Sequence, residues 1–516
     1  MRKLYVAAGT LLLLACHDPT QPDSARTSAN TVSSQAKRWV VVFNQHNALP
    51  KNVERMIADA GGTITARLPQ IGAIGATSSE PDFAAKLAAQ PQVQAVSEDI
   101  EVQMIPAAGS VESPGITAHE SQGPAEPAGP DPQPGTEPLY NQQWDKMRMN
   151  ASATGSYAVQ RGRREVKVAI LDTGVEVLPV PGHPDIVPNL DAASSRSFVV
   201  PLATDLFPPP PPGGDPNPAR WDDRNGHGSW CASAVAAPIN GVGISGVAPN
   251  VTLVALKVLR DTGSGSYLWL AQALIYAGVN RFDIASMSLG GFLRHADGGQ
   301  ALVTIVQRAV QFARSNGVLP IASLGNDNFD ISDGSFFRDF IVAPAELPGV
   351  VGVSATNYIN RKAFYSNYGV GKTDVSAPGG GSTTFHGPIP YYGFGRVLGA
   401  WSQENLGNVN PVFIHEECVP GPGGACSYYA WVRGTSMAAP NAAGVAALII
   451  SQYGLDISPT RVESILQQTA NNQACVDNDS PTHIAFELAS DCRGGAGGYT
   501  SFFGKGIVDA LKAVTQ

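Results

Sequence analysis

Val168-Ala-Ile-Leu-Asp172-Thr-Gly174 is an unbroken apolar run that ends on a carboxylate, a hydroxyl and a glycine. A strand that faces solvent on one side alternates apolar and polar residues, whereas one buried on both faces reads as a continuous apolar run. Residues 251–259, 318–323 and 350–353 have the same character, and helical stretches such as 302–314 lie between them. Buried strands separated by helices predict an α/β fold of three layers, with a mostly parallel sheet between helices. In such sheets reactive groups gather at the carboxyl ends of the strands, where Asp172 stands.

The whole chain sets the surroundings of that sheet. It has 516 residues, 43% of them apolar, and a formal net charge of -9. No segment clusters Lys and Arg as phosphate binding requires, so no nucleic-acid partner is expected. Met1-Arg2-Lys3 precedes an apolar stretch, 4–15, that is too short to span a bilayer readily and reads as a signal peptide. It closes on Leu13-Leu14-Ala15-Cys16, which resembles the bacterial lipobox and implies lipidation of Cys16; an ordinary signal peptide with an incidental cysteine is the alternative. Residues 16–36 read as a flexible tether, 37–105 as a compact unit of order β-α-β-β-α-β (the ferredoxin-like motif), and 106–138 as a Pro- and Gly-rich linker. In the compact unit, strands are expected at 39–43, 63–68, 71–77 and 93–102, with helices at 52–60 and 81–89. The large domain is 139–516. In an oxidising compartment, the sequence neighbours Cys418/Cys426 and Cys475/Cys492 are expected to form disulfides, which leaves Cys231 free.

Three segments carry reactive groups at element boundaries. Asp172 ends its strand, His227 begins a small-residue helix in Asn225-Gly-His227-Gly-Ser-Trp-Cys-Ala-Ser233, and Ser436 begins an apolar helix in Gly434-Thr-Ser436-Met-Ala-Ala-Pro440. A serine hydroxyl becomes a nucleophile only when a base takes its proton, and the base needs a carboxylate to orient it. Each residue also has an ordinary structural reading, as turn former, helix residue or cap.

The order Asp, His, Ser and the residues around each resemble the subtilase family of serine peptidases. The resemblance runs from about residue 139 to the end, and includes Ser286-Met-Ser-Leu-Gly-Gly291 and Ser323-Leu-Gly-Asn326. It implies a subtilisin-like fold and an endopeptidase with Asp172, His227 and Ser436 as catalytic triad and Asn326 as oxyanion-hole donor. Ser288, Leu289, Gly290 and Gly291 would pair with extended substrate, and Ser323 and Leu324 would stand near the pocket for the side chain preceding the cleaved bond. Residues 37–105 would be an inhibitory, self-processed propeptide. No cofactor is expected for the chemistry. A structural Ca²⁺ is implied at Gln142 (or Gln143), Asp185 and Asn240, each of which also reads as a turn residue. Expected partners are polypeptide substrates and the chain's own propeptide, with a monomeric state, a lipid-anchored precursor at a bacterial envelope and a periplasmic or extracellular mature enzyme.

The chain departs from the family at Trp230 and Asn441, where histidines are common, and at Leu324, where alanine is. Cys231 matches a buried free cysteine of the proteinase K group. An α/β-hydrolase esterase would need Gly-x-Ser-x-Gly and the order Ser, acid, His, which Ser436 does not meet. A subtilase fold kept only as a binding module would require a damaged triad, and none of the four residues is missing.

Overall fold

The computed structural model describes residues 36–105, 137–202, 208–294, 298–335, 337–381, 395–418, 425–475 and 492–516. The expected signal peptide, Cys16, the tether up to residue 35 and residues 106–136 of the expected linker lie outside them.

Seven strands form one parallel sheet. From one edge they run Val375–Pro378, Val351–Thr356, Leu319–Ser323, Ile284–Met287, Lys167–Asp172, Thr252–Lys257 and Arg196–Ser197. Alternate residues of one strand serve two cores, as the period of two requires. Val168 and Ile170 join the core that contains helices His227–Ala236 and Thr435–Tyr453. Ala169 and Leu171 join the opposite core, with helices Tyr267–Val279 and Gln300–Ser315. Both faces are covered, which is why the strands read as continuous apolar runs.

The N-terminal unit has strands Lys37–Phe43, Gly62–Leu68, Ala73–Ser78 and Val93–Glu98 with helices Val53–Asp59 and Phe83–Ala88. Its antiparallel sheet takes the spatial order second, third, first, fourth, as the β-α-β-β-α-β pattern predicts. Val41 and Phe43 face its own helices, while Val40 and Val42 join the large domain's core. Arg308 reaches across from helix Gln300–Ser315 and donates to the carbonyls of Phe43 (3.0 Å) and Ile71 (2.9 Å).

The strand expected at 93–102 ends instead at Glu98. Asp99 turns its carboxylate to the Ser266 hydroxyl at 2.5 Å, and Glu101 meets Arg260 of the large domain at 2.6 and 2.9 Å and Arg38 at 2.8 Å. These acidic groups redirect the chain, so Val102–Gln103 leaves the small sheet and pairs with Ser264–Gly265.

A three-stranded antiparallel sheet, Val397–Trp401, Cys426–Val432 and Ile414–Cys418, covers helix His227–Ala236. Trp230 donates its indole N–H to the Ala430 carbonyl at 3.2 Å, and the Ser233 hydroxyl accepts from the Ala400 N–H at 3.0 Å. Cys418–Cys426 and Cys475–Cys492 are disulfides and Cys231 is a buried free thiol.

Candidate active site

Asp172 closes the strand Lys167–Asp172 and is fully buried. Its carboxylate accepts the Thr173 N–H at 2.7 Å and faces His227 Nδ1 at 2.8 and 3.0 Å. His227 is the first residue of its helix, and the residue before it, Gly226, has φ 101° and lies directly beneath the Trp401 ring, where no side chain would fit. Burial works against a charged imidazole, but the Asp172 carboxylate outweighs it and holds His227 well above its ordinary range. The other ring nitrogen, Nε2, is buried with no hydrogen-bond partner among the described residues.

The loop ahead of His227 is organised by Asp223. Its buried carboxylate accepts from the Thr173 hydroxyl (2.8 Å), the N–H groups of Asn225 (2.9 Å) and Gly226 (3.0 Å), and the N–H (2.8 Å) and hydroxyl (2.7 Å) of Ser229. Thr173 Oγ1 in turn accepts the Gly228 N–H at 2.9 Å. One side chain thereby ties the end of the Asp172 strand to the start of the His227 helix.

Ser436 is the second residue of helix Thr435–Tyr453, where unpaired N–H groups and the helix dipole favour negative charge. Its hydroxyl donates to the Ser288 carbonyl at 3.2 Å rather than to His227, and the Ser288 hydroxyl returns a 2.7 Å bond to the Ser436 carbonyl. Asn326 spends its side-chain oxygen on the N–H (2.8 Å) and hydroxyl (2.9 Å) of Thr435. That fixes which way the amide points. A Cβ placed on Gly434 would stand 3.6 Å from Asn326 Nδ2 and 3.7 Å from the Ser436 nitrogen, so two N–H donors flank one point beside the serine. The Cys231 sulfur lies 3.6 Å from the Ser436 carbonyl oxygen and 3.9 Å from His227 Nδ1, and burial pushes its thiol up.

The subtilase family model matches residues 163–497, which include all of these groups. The chain belongs to the subtilase family. It is 30% identical over 423 residues to subtilisin NAT of Bacillus subtilis subsp. natto, covering 82% of each chain. It is 33% identical over 288 residues to the subtilisin of Bacillus pumilus, covering 56% of this chain and 78% of that one. Two solved structures share the fold. The epidermin leader peptide processing serine protease of Staphylococcus aureus has a TM-score of 0.65 at 20% identity, over 93% of this chain and 98% of that one. Fervidolysin of Fervidobacterium pennivorans, described as a keratinolytic enzyme related to subtilisin, has a TM-score of 0.60 at 21% identity, over 94% of this chain and 61% of that one. As a subtilase the chain is a serine protease, a hydrolase that acts on polypeptides.

In this subtilase the segment ending the N-terminal unit lies in a groove of the large domain. The Gly290 N–H donates to the Met104 carbonyl at 3.0 Å, and the N–H groups of Met104 and Ile105 approach the Gly263 carbonyl at 3.2 and 3.4 Å. An extended chain held between two strand edges is β-augmentation. Ser288, Leu289 and Ser323 are buried. Leu324 is fully buried in the core that also holds Met287, Met104 and Ile105, and lies against Gly352.

The cation donors implied by the family divide. Gln142 Oε1 and Asp185 Oδ1 are buried with no hydrogen-bond partner among the described residues, which is what a hard cation would satisfy. Asp185 Oδ2 accepts from Tyr429 (2.7 Å) and the Ile244 N–H (3.1 Å), and burial holds its carboxyl above the usual carboxylate range. Asn240 is engaged in part: its oxygen accepts the Val242 N–H and its amide donates to the Pro184 carbonyl, which leaves that oxygen one lone pair for a cation. Gln143 binds both backbone groups of Ser245.

Sequence reading missed Asp223, Thr435 and Asn367, which hold the candidate groups without taking part in chemistry; Asn367 accepts the Asp327 N–H and donates to the Leu324 carbonyl, both at 3.0 Å, on either side of Asn326. The spacing of Asp223, four residues before His227, was a usable signal, because an aspartate just ahead of a helix caps it. Asn367 lies forty-one residues beyond Asn326, and nothing local in the sequence joins them.

Proposed function

We propose that the chain is a precursor of an endopeptidase in which Asp172 orients His227, His227 is general base and then general acid, and Ser436 attacks the scissile carbonyl. The observation that carries this reading is the bond from Asp172 to His227 Nδ1, which leaves the buried Nε2 unpartnered on the ring edge away from the carboxylate. Rotation of the Ser436 side chain from the Ser288 carbonyl towards Nε2 would complete the proton path. As the carbonyl becomes tetrahedral, its oxygen takes up the donors at Asn326 Nδ2 and the Ser436 N–H, which are fixed before substrate arrives. The acyl-enzyme then forms, His227 protonates the leaving amine, and water reverses the steps.

Residues 37–105 are the inhibitory propeptide in this reading, supported by the seating of Val102–Gln103 and Met104 in the groove. The precursor processes itself, is anchored through lipid on Cys16 at a bacterial envelope, and releases a monomeric periplasmic or extracellular enzyme. A Ca²⁺ ion at Gln142, Asp185 and Asn240 would stabilise the large domain. The rival is an inactive subtilase fold that binds surfaces. Labelling with a fluorophosphonate separates the two, since only an activated serine reacts: the processed protein should label at Ser436, and Ser436→Ala should neither label nor process its precursor. A full-length protein that processes itself but never labels would refute the assignment.

A further inference from the structure

Three buried polar side chains meet in the large core and take no part in the catalytic reading. Asp145 and Lys146 belong to the short helix Trp144–Arg148, and Asn441 to the helix Thr435–Tyr453, five residues beyond Ser436. All three are wholly shielded from water, and their chain neighbours Trp144, Met147, Ala439 and Ala442 are members of the core. Lys146 Nζ donates to Asp145 Oδ2 at 2.8 Å and to Asn441 Oδ1 at 2.6 Å. Asn441 Nδ2 donates to the same Asp145 oxygen at 3.3 Å and to the Pro378 carbonyl at 3.0 Å. Asp145 Oδ1 has no partner among the described residues.

An ion pair taken fully out of water adds little net stability, because desolvation offsets its attraction. The carboxylate is placed instead to move protons, since one of its oxygens touches both an amine and an amide nitrogen and the other is open. A lysine ammonium only donates, so the amide turns its oxygen towards Nζ. With a C=O bond of about 1.23 Å, that contact puts Nζ within about 3.8 Å of the amide carbon Cγ. Amine, carboxamide and proton carrier are thus in reach of one another, and folding can hold reacting groups at effective concentrations of about 10⁵–10⁸ M.

We propose that Lys146 and Asn441 join in an isopeptide bond, formed by the folded chain itself with Asp145 as the proton carrier. Asp145 takes a proton from the Lys146 ammonium, which frees the Nζ lone pair. Nζ adds to Cγ of Asn441, and the carbonyl electron pair moves to Oδ1. Asp145 then gives its proton to Nδ2 and takes one of the two left on Nζ. As the carbonyl re-forms, the bond from Cγ to Nδ2 breaks, ammonia leaves with the bonding pair, and the last proton stays on Asp145. One amine and one carboxamide become a secondary amide and ammonia, with no change of oxidation state. The bond closes a covalent ring between positions 295 apart in the chain and ties the first helix of the large domain to the helix that carries Ser436. A chain end stays ordered only where something ties it down, and Lys146 stands close to the end that cleavage in 106–138 would create. The bond does not depend on Ser436 being the nucleophile.

The test is a tryptic digest of the full-length chain carrying Ser436→Ala, which avoids autolysis, read by mass spectrometry. Residues 87–148, uncut at Lys146, should appear joined to 434–461 at the summed mass less one ammonia. Lys146→Arg keeps the positive charge but offers no amine, and should yield 434–461 unjoined. Asp145→Asn cannot carry the proton and should slow joining by about 10²–10⁴. The digest of the chain with all three residues in place decides the bond even where a variant fails to fold. Recovery there of 434–461 unjoined, with Asn441 intact or merely deamidated, overturns the proposal. Equal joining in Asp145→Asn overturns the role given to Asp145.

Discussion

Glu176 offers a sharp test of how the candidate site is held. It is 4% exposed, its carboxyl accepts the Gln403 N–H at 3.1 Å, and its own N–H donates to the Ser229 hydroxyl at 2.9 Å. It therefore joins the loop after Asp172, the His227 helix and the segment that follows strand Val397–Trp401. Burial, reinforced by Asp223, Asp222 and Glu404, pushes its carboxyl from 4.5 to about 8. Between those values the folded chain keeps a proton that the unfolded chain has released, so stability falls as pH rises through that window. Full ionisation above it costs up to about 5 kcal/mol. Glu176→Gln keeps the acceptor for Gln403 and removes the titration. Both chains should carry Ser436→Ala at full length, which avoids autolysis during urea unfolding. From pH 5 to pH 9 the stability gap between the Glu176→Gln chain and its parent should widen by about 4 kcal/mol in favour of the substitution. Parallel pH curves for the two proteins would mean that water or rearrangement solvates Glu176, and the argument would fail.

Two further outcomes follow from the same geometry. Asn326→Ala should lower kcat on the order of 10²–10³, a magnitude taken from a subtilisin and not worked from this structure, with KM little changed; a change in KM alone would place the amide in ground-state binding. Arg260→Ala removes two charge-assisted bonds to Glu101, at about 1.5–3 kcal/mol each for well-buried pairs and less where water reaches them. Exchange of the Val102 and Gln103 amides in full-length Ser436→Ala protein should then quicken about 10- to 100-fold, and unchanged exchange would show that the ion pair does not hold that segment.

The sheet was legible because burial on both faces leaves a one-dimensional trace, and Val168 to Leu171 carry it. Asp172, His227 and Ser436 were legible because each reactive group sits beside its own glycine or helix start. The end of the fourth small strand at Glu98 was not, since Asp99 and Glu101 leave it for Ser266 and Arg260, more than 150 residues away. The sheet over the His227 helix was equally hidden: Val397–Trp401 is a continuous apolar run, but its partner Ile414–Cys418 is mostly polar, and nothing local in the sequence shows that three strands join over Trp230 and Ser233.

Thirty-one residues separate Ile105, seated at Gly263, from Glu137, already buried in the large domain. While that span is intact, a segment that leaves the groove returns by a unimolecular step, at an effective concentration that reaches millimolar for short flexible tethers and falls as they lengthen. One break anywhere along it changes the law that governs return without disturbing a single contact in the groove. Occupancy of the groove, until then indifferent to how much protein is present, becomes a matter of dilution.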